Sequence, residues 1–336
     1  MSLNANAPSA DLSGELDRSG ASARPEAARP HLPARHRFAC LHVVATFCLL
    51  AFGASVTSND AGLAVPDWPT TYGDLNPIAP YLRGLVSGLI ALEHNHRVFG
   101  MVVGLLTIVL ATWLWRTGET TTRRRLGAWL LALVCVQGGL GGLTVHMKLP
   151  AAVSIAHGML AQTFFCLSIV TAWLLSREAR DAGEARRSGA PLAAPPSLVK
   201  AARFAFAVIY LQLFFGALVR HTVAKSRVPT FGDSAVVLHM CFALVVLIAI
   251  GRLVATTSAV ERLDGRLLRP VFALAGLVFL QLLLGLLAVA TRTDPLVTVL
   301  HVITGAALLG TSCFVVVRTR ALAGGASVET AAGTAA

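Results

Sequence analysis

Four histidines, His96, His157, His239 and His301, lie in long apolar runs of a 336-residue chain. Burying an ionisable side chain in such a run is costly, so each is a functional candidate. Neutral imidazole is an axial ligand of haem iron, and two imidazoles from facing helices can hold one macrocycle between them. Zinc fits less well, because no carboxylate or thiol joins either pair at ligand spacing. Taken singly, each histidine is as readily a core residue bonded to a neighbour. Their spacing argues for a shared design. His157 follows Gln137 at the same distance as His301 follows Gln281, and Ser154 and Thr298 stand three residues before them. His96 and His239 precede their partners by nearly equal intervals, and Phe52-Gly53-Ala54 recurs as Phe215-Gly216-Ala217. Matching offsets of this kind mean a duplication. The Phe-Gly-Ala offset is larger, which gives the first half an extra loop over 58–86.

The halves differ beside His96. Glu93 stands three residues before it, on the same helix face and about 4.5 Å away in rise. The equivalent of Glu93 before His239 is Val236, and Met240 replaces Arg97. Two readings stay open: a Glu93–Arg97 helical ion pair, or a group that handles protons or stabilises positive charge beside a reacting macrocycle. The second makes the first half the site of chemistry and the second a fixed cofactor site. The segment from Asn59 to Gly73 is turn-rich, with aromatics able to cover a flat ligand or to anchor an interfacial loop. The other histidines are read as bystanders: His31, His36 and His42 in the tail, His146 and His221 at the interface, and His94 on another helix face.

The elements that position these residues follow from composition. The chain is 55% apolar and 13% charged, with a mean hydropathy of +0.68, which excludes an ordinary soluble enzyme. The net charge of +11 is nearly all arginine, clustered between apolar runs. That is the pattern of cytoplasmic loops in a polytopic membrane protein, not of a nucleic-acid binder. Eight stretches are long enough to cross a bilayer: 38–57, 87–115, 126–145, 152–175, 204–222, 234–251, 270–290 and 296–317. The arginine bias places both termini in the cytoplasm and the four histidines near the outer ends of even-numbered spans. The expected fold is an all-α integral membrane protein, with eight transmembrane helices as two pseudo-symmetric four-helix bundles. Its parts are a disordered tail 1–36, bundles 37–176 and 203–318, a cytoplasmic linker 177–202 and a tail 319–336. The six cysteines show no CxxC or zinc spacing and read as small core residues.

Three motifs carry a resemblance. Glu-x-x-His-Arg over 93–97, Ala-Gly-Leu-x-x-Pro-Asp-Trp-Pro over 61–69 and Gln-Gly-x-x-Gly-Gly-Leu-Thr-Val over 137–145 resemble the haem A synthase family. The likeness covers roughly 38–317, including the duplication. It implies a bacterial plasma-membrane enzyme that oxidises the C8 methyl group of haem O to a formyl group. By motif, Glu93 is the catalytic carboxylate, His96 and His157 face the substrate haem O, and His239 and His301 ligate a haem b that passes electrons. Implied partners are an electron donor of unknown identity, haem O synthase, oxidase assembly factors and a second copy of the chain; nucleic acid is not among them. Many members carry a cysteine pair where this chain has Val65 and Thr71, so the loop must be held without a disulfide. A dihaem electron-transfer protein and a haem transporter or chaperone remain rival readings; the former has no need for Glu93 in one half only.

Overall fold

Hydrocarbon offers the backbone no water to bond, so an apolar run that crosses it must close its hydrogen bonds within itself as a helix. In the computed structural model, residues 33–117, 120–188, 194–224, 228–230, 232–260 and 265–323 are described. Their elements are α1 (Pro33–Ser58), the short α2 (Ala79–Leu82), α3 (Gly88–Arg116), α4 (Thr121–His146), α5 (Ala151–Leu174), α6 (Arg177–Arg187), α7 (Pro196–Leu218), α8 (Ser234–Ser258), α9 (Gly265–Ala290) and α10 (Pro295–Ala321). Eight of them are long and apolar enough to span a membrane, and no strand occurs among the described residues. The chain is an all-α, multi-pass membrane protein.

The spans exceed their expected bounds mainly at the arginine-bearing ends. α4 begins at Thr121 rather than 126, α7 at Pro196 rather than 204, and α8 runs to Ser258 rather than 251. Arginine is a good helix former, so a helix continues past the apolar run into its charged flank. The same reason corrects two boundaries. α1 starts at Pro33, inside the expected tail, while residues 1–32 lie outside the described ones. The expected linker 177–202 contains α6, capped by Ser176, whose Oγ accepts the Ala179 N–H, and the start of α7. Residues 189–193, and the tail beyond 323, are outside the described set.

Packing closes two rings. α1 packs on α3 and α5, and α4 completes the circle; α7 packs on α8 and α10, and α9 completes the other. The rings meet where α10 lies against α1 and α5, and α5 against α7. Val103, Leu110, Leu114, Leu130 and Phe164 fill the first core; Ile209, Ile250, Leu253, Leu274 and Leu309 fill the second. The α4–α5 and α9–α10 connections match in detail. Lys148 and Leu149 have φ of 57° and 60°, and Arg292 and Thr293 have 54° and 66°. In each, the second residue's N–H returns 2.7 Å to the carbonyl five residues earlier, Thr144 or Ala288. α7 ends in one π-helical turn, Val219–Val223. Its Arg220 binds the Thr57 carbonyl and Asp60 Oδ1, fastening this ring to the end of α1.

Candidate haem-binding site

Each of the four histidines meets a glycine on a neighbouring helix. A Cβ built on Gly53 would stand 3.1 Å from His96 Cε1; the same test gives 3.3 Å for Gly141 and His157, 3.1 Å for Gly216 and His239, and 3.1 Å for Gly285 and His301. Any larger residue at these positions would push the ring away. The missing side chain lets the imidazole lie against backbone, and the main-chain carbonyl four residues before each glycine flanks the ring: Leu49, Gln137, Gln212 and Gln281. His96, His157 and His301 each retain an Nδ1 that is buried and closes no hydrogen bond within the protein.

Glutamine supplies a further contact at three of the rings. Gln137 Nε2 lies 3.3 Å from His157 Nε2 and donates to the His157 carbonyl at 3.0 Å. Gln212 Nε2 lies 3.2 Å from His239 Nδ1 and donates to the His239 carbonyl at 2.9 Å. Gln281 Nε2 lies 3.2 Å from His301 Nε2. All three glutamine Oε1 atoms are buried without a protein partner. The spacing marks Gln137, Gln281, Gly53 and Gly216 as repeat positions only, and does not single out Gln212 or Gly285. The signal was present as Gln-x-x-x-Gly at 137–141, 212–216 and 281–285.

These residues fit haem. The His239 and His301 ring centroids stand 6.3 Å apart, facing across the second ring. Metal-ligating imidazoles keep their other nitrogen on a carbonyl or similar acceptor, and the flanking carbonyls supply such acceptors. Among the described residues no group of three or more His, Cys, Asp or Glu could hold a bare metal ion, which suits a cofactor that brings its own equatorial ligands.

Glu93 is buried at 4% exposure, and both its oxygens are engaged. Oε2 accepts the Val65 N–H at 2.7 Å and Oε1 accepts Arg97 at 2.5 Å. Arg97 also donates to the carbonyls of Asp67 at 2.6 Å, Thr70 at 2.9 Å and Val65 at 3.1 Å. The ion-pair reading is therefore present in the structure, and it has a purpose: the pair ties loop 59–87 to α3 next to His96. Val65 and Thr71, where many members of the resembled family carry a cysteine pair, are both buried. Thr71 meets His94 Nδ1 at 3.2 Å, and His94 Nε2 donates to the Pro77 carbonyl at 3.0 Å. Polar contacts to Glu93, His94 and Arg97 thus do the fastening that a disulfide would do.

The loop has its own keystone in Asp67, which accepts from Thr70 Oγ1, the Tyr72 N–H at 2.9 Å and the Gly73 N–H at 2.8 Å. Burial alone would raise its pKa, but the Gly73, Thr70 and Tyr72 donors outweigh that and bring it down to about 2. Trp68 beside it presses on Gly142, where a Cβ would come within 2.6 Å of the indole. Consecutive glycines on α4 therefore serve two purposes, Gly141 seating His157 and Gly142 seating Trp68. In the second ring the residue after Gly285 is Leu286, so the loop seat belongs to the first ring alone.

One bystander assignment needs correction. His42 is not in a tail but fully buried in α1, where it meets the Phe164 ring edge-on. The Thr107 hydroxyl donates to the Val103 carbonyl at 2.7 Å, so His42 Nε2–H must donate to Thr107 Oγ1 at 2.9 Å. His36 likewise belongs to α1 and donates from Nδ1 to the Ala172 carbonyl at 3.0 Å.

The chain matches known proteins over a large part of its length. The profile of the COX15-CtaA family, described as cytochrome oxidase assembly protein, matches residues 87–313. A Heme A synthase of Chelativorans sp. is 32% identical over 161 residues, 46% of this chain and 44% of that protein. One from Halalkalibacterium halodurans is 27% identical over 196 residues, 56% and 59% of the two chains. One from Brucella ovis is 30% identical over 146 residues, 42% and 41%. Each alignment thus spans about half of the relative's own length. With a family match that takes in α3 to α10 and all four histidines, this chain belongs to the haem A synthase family of cytochrome oxidase assembly proteins.

Proposed function

We propose that this protein is a haem A synthase of the bacterial plasma membrane, with both termini cytoplasmic. The first ring takes haem O and oxidises its C8 methyl group to a formyl group, a loss of four electrons to an acceptor from outside this chain. The second ring holds haem b. The observation that carries this reading is a repeated seat with unequal surroundings. All four histidines lie on glycines of neighbouring helices, but only the first ring adds Glu93, Arg97 and a tethered loop.

When bound, haem b supplies one-electron redox chemistry. His239 and His301 would hold it between α8 and α10. His96 and His157 would face the substrate haem from α3 and α5. Glu93 places a carboxyl group on the same helix face as His96, able to stabilise a developing positive charge or to pass a proton. Arg97 holds that carboxylate in place and ties it to the loop. Trp68, seated on Gly142, packs the loop onto α4. The apolar walls of both rings bury the macrocycles. We read the two rings as the duplicated, pseudo-symmetric bundles expected from the sequence.

The test is haem extraction and chromatography from cells that make haem O and express this chain. Haem A should appear with the chain and be absent without it. Bound haem with no haem A would favour an electron-transfer or carrier protein.

A further inference from the structure

Toward the arginine-bearing ends of the spans, the two rings part around a groove. α4 and α5 of the first ring and α7 and α10 of the second form its walls, and α6 lies across its end. Its volume of about 1140 Å³ exceeds the about 300–1,000 Å³ of an ordinary ligand cleft. The walls are apolar, with Leu133, Leu167, Val170, Phe206 and Val316 among them. Along α5 the lining runs from Thr163 to Trp173, a rise of about 15 Å. That is half the hydrocarbon thickness of about 30 Å, the depth of one leaflet. Trp129 and Trp173 line the groove as well, and tryptophan favours the membrane interface. The groove begins past His157 on α5 and runs away from it, so it does not belong to the haem seats.

Three arginines, Arg186, Arg203 and Arg320, line the same groove, and no Asp or Glu does. Their neighbours are spent within the protein: Arg318 on Glu178 at 2.5 Å and Arg123 on the Leu174 carbonyl at 2.8 Å. Arg186 gives one nitrogen to the carbonyls of Arg320 and Ala321 at 3.0 and 3.3 Å. The guanidinium groups of Arg203 and Arg320 are exposed and make no hydrogen bond or ion pair among the described residues. We propose that the groove is a site for one anionic phospholipid of the adjoining leaflet, its phosphate on Arg186, Arg203 and Arg320 and an acyl chain laid along α5 between the rings. The planar guanidinium fork matches phosphate oxygens, and basic pockets between spans are where anionic headgroups bind. Three cations with no carboxylate among them favour a headgroup that brings no cation of its own. A free phosphate would leave the apolar length of the groove uncovered. The lipid therefore wedges between the rings and ties α6, α7 and α10 together through one headgroup.

The test is native mass spectrometry of the purified full-length protein in detergent, with dioleoyl phosphatidylglycerol or the phosphatidylcholine of the same chains added. One phosphatidylglycerol should stay bound at concentrations where phosphatidylcholine does not. Replacing Arg203 and Arg320 together by Gln should weaken that binding about 30-fold, the effect of two basic residues at an anionic headgroup. Val170→Phe narrows the groove and should weaken it with every arginine in place. Excess inorganic phosphate should not displace the lipid, and neither should loading with haem b. Equal retention of the two lipids, or binding unmoved by the arginine pair, overturns the proposal. Displacement by phosphate would make this a free-anion site, and displacement by haem b would assign the arginines to haem carboxylates; either also overturns it. Should Val170→Phe not fold, the headgroup comparison and the exposed arginine pair decide alone.

Discussion

Replacing Glu93 by Gln separates chemistry from tethering, because the structure fixes what the change removes. The carboxylate serves two donors, the Val65 N–H and the Arg97 guanidinium. A carboxamide has one oxygen; whichever donor it keeps, its NH2 group faces the other. One hydrogen bond to a charged group is lost, worth about 1.5–3 kcal/mol. The penalty of about 3–5 kcal/mol for an uncompensated buried charge does not apply in full, since Arg97 keeps the carbonyls of Val65, Asp67 and Thr70. The variant should fold and bind haem in both rings. If the negative charge handles protons or stabilises charge, turnover should fall about 10²–10⁴-fold, with haem O or a partly oxidised product accumulating. Arg97→Gln is the control, for it loosens the loop and leaves a carboxylate on Val65. A chemical role predicts a much smaller loss there, and a tether alone predicts equal losses. Haem extraction and chromatography read both. Normal haem A yield in Glu93→Gln would reduce the residue to a partner of Arg97, and equal losses in the two variants would refute a separate chemical role.

Other parts of the molecule give further expectations. His239→Ala or His301→Ala should each abolish the low-spin haem b spectrum of purified protein; two mutants with wild-type bis-histidine spectra would refute the assignment. A reporter active only outside the cytoplasm should work when fused after Lys148 or Arg292 and stay silent after Arg125 or Arg187, and the reverse pattern would put the histidines on the inner face. His42→Leu should change thermal stability little, about 1 kcal/mol or less. The change gives up a bond to Thr107 worth about 0.5–1.5 kcal/mol but also removes the buried, unpartnered Nδ1, whose desolvation costs about 1–3 kcal/mol. A loss of several kcal/mol would show that Nδ1 has an internal water or another role. Asp67 has its pKa lowered to about 2, so the hold of its ionised form on the loop is complete above about pH 4 and fades as pH falls through 2. Protection of loop 59–87 from proteolysis should therefore be independent of Asp67 between pH 5 and 8.

The eight spans were legible because twenty apolar residues in a row have one solution in a bilayer. Their arginine-bearing ends were not, because charge was taken as a sign of loop where α6 and the start of α7 are helical. The four histidines stand out by their repeated spacing, and the structure sets each against a glycine of a neighbouring helix. His42 was misplaced because a position near the first span's start looks terminal in sequence but is central once α3 and α5 pack on α1. The glycines were invisible as ligand seats: a residue with no side chain signals its purpose only through what lies opposite it. Gly141 and Gly142 are adjacent in one motif, yet one seats His157 and the other Trp68.

The contrast between the rings follows from that division of labour. Backbone and glycine build the seat, and a duplication copies such features because they depend on helix packing rather than on any one polar group. Side chains that face the seat can then change without disturbing it. Val236 and Glu93 occupy equivalent turns, and that difference falls beside His96. A carboxylate there adds a charged group beside one face of the site, for which a ring that only carries electrons has no use.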